Sequence, residues 1–332
     1  MYKIIIQILA AFIPNEAKRA RFRDKYLNKK VGSKKFIFSK ETKLTRLANL
    51  ENKISVISYF MEKCPKATGF LRAVQLINLD ILCEIDRICR KHHLSYWLDW
   101  GTLLGALRHK GFIPWDDDLD ISMPAGDFEK FKKIALTEFD SNFQLKQIPA
   151  NIGKIVHKDF SPETEKEWLD FINWNKNQKH LFFATDIFIY HFLKEEIPSD
   201  IAKEKLSEIM YEKAAAYKCT EYSFKGWEKV DKIVQKQNVI ASKTQTDKLF
   251  LGAECFTPNK EGRIFKKDEI FPLREIEFEG KKFFAPNKTE LLLFRNFGNF
   301  YKYEITHSHL DFNLLTEVNV ENLLKRLHEE RK

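Results

Sequence analysis

Cysteine is scarce and unpatterned in this chain. The five residues Cys64, Cys83, Cys89, Cys219 and Cys255 are odd in number and contain no C-x-x-C pair. That excludes a disulfide framework or a zinc knuckle as the organising element and makes a reducing compartment the default. Long apolar runs are missing too. Met1 to Pro14 (MYKIIIQILAAFIP) stops at about a dozen apolar residues, short of the ~20 that span a bilayer, and it lacks the small-residue cleavage site of a signal peptide. There is no internal repeat and no low-complexity tract, which excludes solenoids and linker-dominated chains.

A globular composition remains. Of 332 residues, 44% are hydrophobic and 31% charged, with 29 Phe and 6 Trp to fill a core. The formal charge of +9 is unevenly placed. Residues 1–46 hold 13 Lys or Arg against 3 acids, and the remainder is close to neutral. A basic arm on a near-neutral body points to one anionic partner surface and excludes a nucleic-acid-coated domain. The apolar stretch ahead of the arm reads either as a core-docking helix or as an interfacial helix lying at a membrane surface.

Periodicity predicts a helix over Phe70–Lys91, where Leu71, Val74, Ile77, Ile81, Ile85 and Ile88 recur at steps of three and four. Ser95–Trp100 reads as a strand, Gly101-Thr102 as a turn with Thr102 capping a helix through Arg108, and Leu119–Met123 as a second strand. Further helices are expected at 127–138, 201–217, 288–297 and 318–328. Strands are expected around Asn151-Ile152-Gly153, over the apolar run Leu181–Phe192, and near 263–265, 276–278 and 282–284.

The chemistry concentrates in Trp115-Asp116-Asp117-Asp118-Leu119-Asp120-Ile121. On an extended segment Asp116, Asp118 and Asp120 share one face. Three carboxylates so placed repel one another unless a cation sits among them, and hard oxygen donors select Mg²⁺, Mn²⁺ or Ca²⁺. A solvated acidic turn is the plain alternative, which the apolar flanks Phe112, Ile113, Trp115, Leu119 and Ile121 oppose. Upstream, Arg108, His109 and Lys110 are cations suited to phosphate, and Gly101 and Thr102 offer a small residue and a helix N-terminus for an anion. Asp186, inside Phe182–Ile189, is either a third carboxylate for the metal site or half of a buried salt bridge to an Arg or Lys. His307 and His309 are weak metal candidates.

The run Tyr96–Ile121, with YWLDWGTLLGALRHKGFIPWDDDLDI at its heart, resembles the signature of the LicD family, which includes phosphorylcholine transferases and is related to fukutin-related proteins. Leu71–Gln75, Thr185–Phe188, Ile270–Leu273 and Phe278–Asn287 extend the likeness over roughly residues 70–310. The resemblance implies an α/β (α+β mixed) fold: a nucleotidyltransferase-like mixed β-sheet flanked by helices, with an N-terminal helical, basic arm and a C-terminal helix. Charge placement and the extent of the likeness together divide the chain into four segments: an arm over 1–46, a connector over 47–69, a catalytic domain over 70–310 and a helical tail over 311–332. The resemblance also implies metal ligation by Asp116, Asp118, Asp120 and Asp186, with Asp116, Asp118 and Asp186 catalytic. Gly101, Thr102, Arg108, His109 and Lys110 would bind phosphate, with Mg²⁺ or Mn²⁺ as cofactor.

The expected reaction is transfer of a phospho-substituent, phosphocholine first, from a CDP-linked donor to a sugar hydroxyl of a surface or lipid-linked glycan. Phosphoethanolamine, glycerol phosphate and ribitol phosphate are alternative cargoes. The expected place is the cytoplasm, at the inner face of the cytoplasmic membrane, with residues 1–46 on anionic lipid. The chain departs from the family after Phe297-Gly298, where Asn299–Glu304 lacks the usual proline. A D-x-D glycosyltransferase using a nucleotide sugar and a non-catalytic calcium-binding scaffold are the rivals.

Overall fold

The computed structural model describes residues 64–147, 152–172, 181–219, 224–255, 263–298, 300, 310 and 314–330. The expected arm over 1–46, most of the connector and His307 and His309 lie outside them. The elements in chain order begin with α1 (Gly69–Lys91), β1 (Trp97–Leu98), α2 (Trp100–His109), β2 (Leu119–Pro124), α3 (Ala125–Glu138), β3 (Phe143–Gln147) and β4 (Gly153–His157). Next come α4 (Glu165–Ile172), β5 (Thr185–Leu193), α5 (Ser199–Cys219), α6 (Phe224–Val234), β6 (Ala241–Ser242), β7 (Lys248–Leu251) and β8 (Ile264–Lys266). The last are α7 (Lys267–Ile270), β9 (Arg274–Phe278), β10 (Lys281–Ala285), α8 (Thr289–Phe297) and α9 (Glu317–Glu330).

Helix α1 forms where the three-four periodicity placed it. Val74, Ile77, Ile81, Ile85 and Ile88 are buried in the main core, and Arg90 and Lys91 occupy the last turn, where cations suit the helix dipole. The sheet is mixed, in the order β1-β2-β5-β4-β3, with β6, β7 and β8 continuing from the far half of β5. Its centre is the parallel pair β2 and β5, and β4 runs antiparallel on the other edge of β5. Alternation along β2 sends Leu119, Ile121 and Met123 to one face and Asp120 and Ser122 to the other. On the first face Phe128 of α3 packs so closely on Gly153, beside Ile187, that a Cβ there would lie 2.7 Å from the ring. On the second face lies α2.

Some expected boundaries move for identifiable reasons. The strand read over Ser95–Trp100 is only Trp97–Leu98, because the Asp99 side chain accepts from Trp100 N at 2.8 Å and starts α2. Trp100 enters that helix at φ 44, a left-handed conformation costly for a bulky side chain, which the Asp99 contact offsets. The Leu181–Phe192 run becomes a strand only from Thr185. The C-terminal helix α9 is docked on α1: Arg326 grips Asp80 at 2.7 and 3.0 Å, and Glu330 accepts from Arg72 at 2.9 Å.

Behind β5 a buried polar network ties the second half of the chain together. Glu254 accepts from His191 at 2.7 Å and from Gln237 at 2.6 Å, while Lys213 donates to the carbonyls of Ala253 and Glu254 at 2.9 and 3.0 Å. Burial pulls the Lys213 ammonium down to about 8 from its ordinary 10.5. The unfolded chain therefore holds the extra proton between those two values, so this residue's contribution to stability rises with pH across that window. Urea denaturation should show the stability of the wild type relative to Lys213→Met growing between pH 7 and 10.5, by on the order of 3 kcal/mol at most. An unchanged difference would mean that the amine is not desolvated.

Candidate active site

The parallel register places Asp120 of β2 directly opposite Asp186 of β5, and the antiparallel register places Lys154 of β4 opposite Asp186. Paired residues share a face, so Asp120, Asp186 and Lys154 form one rung across three strands. Lys154 Nζ lies 2.5 Å from Asp186 Oδ1. The salt bridge that was one of two readings for Asp186 therefore exists, half-buried, within a carboxylate cluster. Asp120 is 8% exposed. Burial first, then the charges of Asp118, Asp186, Asp116 and Asp99, push its carboxyl well above the usual range.

The expectation that Asp116, Asp118 and Asp120 line one face of a strand is corrected. Strand β2 begins only at Leu119, so Asp116 to Asp118 form a loop entering it. Looping brings in Asp117, which strand alternation would have turned away: carboxylate oxygens of Asp116, Asp117 and Asp118 lie within 4.8 Å of one another. Asp117 is buried and accepts from Leu310 N at 2.6 Å. Gly101 lies against the same loop. A Cβ there would sit 2.9 Å from Asp116 Oδ2 and 4.0 Å from Asp120 Oδ2, so any other residue would push the Asp116 carboxylate aside.

Thr102 does not cap the helix, as the spacing had predicted. Asp99 is the N-cap, and Thr102 Oγ1 accepts from Asp120 N at 2.8 Å, which pins the start of β2 to α2. Arg108, His109 and Lys110 sit at the other end of α2, about 10 Å of helical rise from Gly101. Arg108 donates to Phe300 O at 3.2 Å, the His109 ring meets Trp115 edge-on, and Lys110 is the left-handed C-cap. These three side chains are thus brought to the C-terminal end of α2, and the rung beside the carboxylates carries Lys154 instead.

Three supports escaped sequence reasoning. Asp99 is fully buried and accepts from Ser122 Oγ at 2.7 Å, Tyr190 OH at 3.1 Å and Asn296 Nδ2 at 3.3 Å as well as from Trp100 N. Burial raises its carboxyl, against the lowering effect of these donors. The second support is on α1. Gln75 Nε2 donates to Asp116 O at 2.8 Å and Ile113 O at 3.3 Å, and Asn78 Nδ2 donates to Asp117 O at 3.2 Å. Buried polar residues at steps of three on a largely apolar helix, Arg72, Gln75 and Asn78, are the signal that could have revealed this seam. The third is Arg72, which joins Gln75 Oε1 to Glu279, whose carboxylate also receives Phe112 N at 3.2 Å. Gln75→Leu fills the space but leaves both loop carbonyls without that donor. We expect a loss of about 1–3 kcal/mol by chemical denaturation and weaker Mn²⁺ binding by calorimetry. Unchanged metal affinity would show that the seam does not hold the loop in register.

Beside the carboxylates stands an aromatic wall. Trp100 lies 5.6 Å from Phe188 and 6.3 Å from Phe297, centroid to centroid, and the Arg263 guanidinium is 5.1 Å over the Trp100 ring. Arg263 is itself hydrogen-bonded to Asn296. Composition could not single out these aromatics, because they come together from α2, β5 and α8.

A family model described as LicD/FKTN/FKRP, nucleotidyltransferase domain, matches residues 93–229, which span α2, the carboxylate loop, β2 and β5. The lipopolysaccharide cholinephosphotransferase LicD of Haemophilus influenzae is 36% identical over 129 residues, 38% of this chain and 46% of that protein. An uncharacterized protein of Rickettsia typhi is 31% identical over 133 residues, 40% of this chain and 37% of its own. The chain thus spans less than half the length of these relatives. Family model, relatives and the mixed, helix-flanked sheet agree on one likeness: residues 93–229 are similar to the LicD/FKTN/FKRP nucleotidyltransferase domain.

Proposed function

We propose that this chain is a metal-dependent phosphotransferase that moves a phospho-substituent from a CDP-linked donor to a hydroxyl of a glycan or glycolipid, with phosphocholine as the first cargo to test. The observation that carries the reading is the convergence of Asp116, Asp118, Asp120 and Asp186 on the α2 face of the sheet, with Asp120 and Asp186 in register. The cholinephosphotransferase activity in the Haemophilus relative's name motivates the choice of cargo.

The donor set fits a hard divalent ion: carboxylate oxygens of Asp116, Asp117 and Asp118 lie within 4.8 Å of one another, and the crowding that raises Asp120 is relieved by added positive charge. In this reading Asp116 and Asp118 hold Mg²⁺ or Mn²⁺, with Asp120 and Asp186 completing the set. The bound ion supplies Lewis-acid neutralisation of phosphate charge. Gly101 leaves room for the carboxylates, and Thr102 fixes Asp120 relative to α2. Arg108, His109 and Lys110 serve the outer part of a long anionic ligand. Catalysis by these residues is positioning and charge stabilisation.

Among the described residues no helix is long and apolar enough to cross a membrane. In the proposed arrangement the basic segment 1–46 meets anionic lipid, and the enzyme works at the inner face of the cytoplasmic membrane. The domain limits of 70–310 and 311–332 belong to the same proposal. CDP-choline, CDP-ethanolamine, CDP-glycerol and CDP-ribitol, each with Mg²⁺ and a glycan acceptor, should be screened for CMP release. Release from at least one supports the reading. Hydrolysis of a nucleotide sugar without CMP release from any of them overturns it in favour of a glycosyltransferase.

A further inference from the structure

Lys154 is a charged residue at the heart of the carboxylate rung that nothing in the sequence motif marks. It lies on β4, outside the D-x-D loop, and reaches the site only because β4 pairs with β5 in a register that sets it opposite Asp186. Its side chain is 13% exposed, and its ammonium lies 5.5 Å over the centroid of the Phe171 ring and 2.5 Å from Asp186 Oδ1. An ammonium this close to a carboxylate and an ion ligated by the same carboxylate, at about 2 Å, repel each other. Lysine carries its charge on a flexible four-carbon stem. The stem lets the ammonium leave Asp186 while staying on the rung, where the ligand of opposite charge in a metal–diphosphate complex is a phosphate oxygen.

We propose that Lys154 is an exchangeable counter-ion of the site, paired with Asp186 when the carboxylates are empty and transferred to a phosphate oxygen of a diphosphate ligand when they are loaded. This rests on the proposed function and adds to it a specificity: Lys154 makes metal binding and diphosphate binding depend on each other. With no phosphate present, Lys154 opposes the metal. With metal present, it favours the anion. The two effects have opposite signs, and a lysine that only held β4 to β5 would produce neither pair.

The test uses the full chain and two titrations by calorimetry, Mn²⁺ alone and then cytidine diphosphate at saturating Mn²⁺. Lys154→Met should bind Mn²⁺ about tenfold more tightly than wild type and cytidine diphosphate about tenfold more weakly. Lys154→Arg, which keeps the charge, should stay within about threefold of wild type for both. Thermal melts establish that the variants fold, and Lys154→Gln carries the same two expectations should the methionine variant not fold. Affinities that are unchanged, or that move in the same direction, overturn the exchange while leaving the proposed function standing. A wild-type chain that binds no Mn²⁺ overturns both.

Discussion

An Asp118→Asn variant is expected to melt at or above the wild-type temperature and to lose turnover about a thousandfold, the scale of several kcal/mol of lost charge stabilisation. The two halves of this result have one cause. Asp118 is the first of the neighbouring charges that raise the buried carboxyl of Asp120, so without a metal it is a source of repulsion. Replacing it with a neutral isostere relieves that repulsion and stabilises the empty site, as functional sites often trade stability for chemistry. The same replacement removes an anionic ligand. The discriminating measurement is the melting temperature with and without Mn²⁺, because a ligand that binds only the folded state raises it. Wild type should gain stability from the ion and Asp118→Asn should gain little. A variant with wild-type turnover, or one stabilised by Mn²⁺ as strongly as the parent, would remove Asp118 from the metal site.

The second large effect is structural and lies beneath the chemistry. Asp99→Ala should cost about 3 kcal/mol or more, because four donors lose a common buried acceptor at once. Those donors come from α2 itself (Trp100 N), β2 (Ser122), β5 (Tyr190) and α8 (Asn296). The loss would also free Trp100 from the contact that offsets its left-handed backbone. Chemical denaturation should show the full cost in the alanine variant and a smaller one in Asp99→Asn, which keeps an acceptor oxygen and removes a buried charge. Equal stability of alanine and wild type would mean that Asp99 is not what joins the four elements. Turnover in Asp99→Asn should fall less than in Asp118→Asn, since Asp99 acts through the placement of α2.

Local pattern made much of this protein legible. The three-four apolar spacing of α1 reports a face that must be buried, and the structure buries it. The strands expected near 276–278 and 282–284 form as β9 and β10, joined by Glu279-Gly280, both of positive φ. The aspartate run stood out because carboxylates at such density repel one another and favour a cation, and the structure brings three of them within 4.8 Å of one another. Single elements such as α4, α6 and β7 escaped notice, because their short apolar patterns gain stability mainly from neighbours distant in sequence.

Residue type and local spacing thus determined where several helices and strands lie, that a carboxylate cluster begins at Asp116 and that Asp186 belongs with it or with a cation. Strand register decided the rest. Pairing β5 between β2 and β4 set Asp186 beside Asp120 on one side and Lys154 on the other, so that its ion pair sits within the carboxylate cluster. The same packing gave the helix cap to Asp99, brought Asp117 into the cluster and set two amides of α1 under the loop. None of these follows from spacing along the chain, because each depends on which residues lie opposite one another across hydrogen bonds that span dozens of positions.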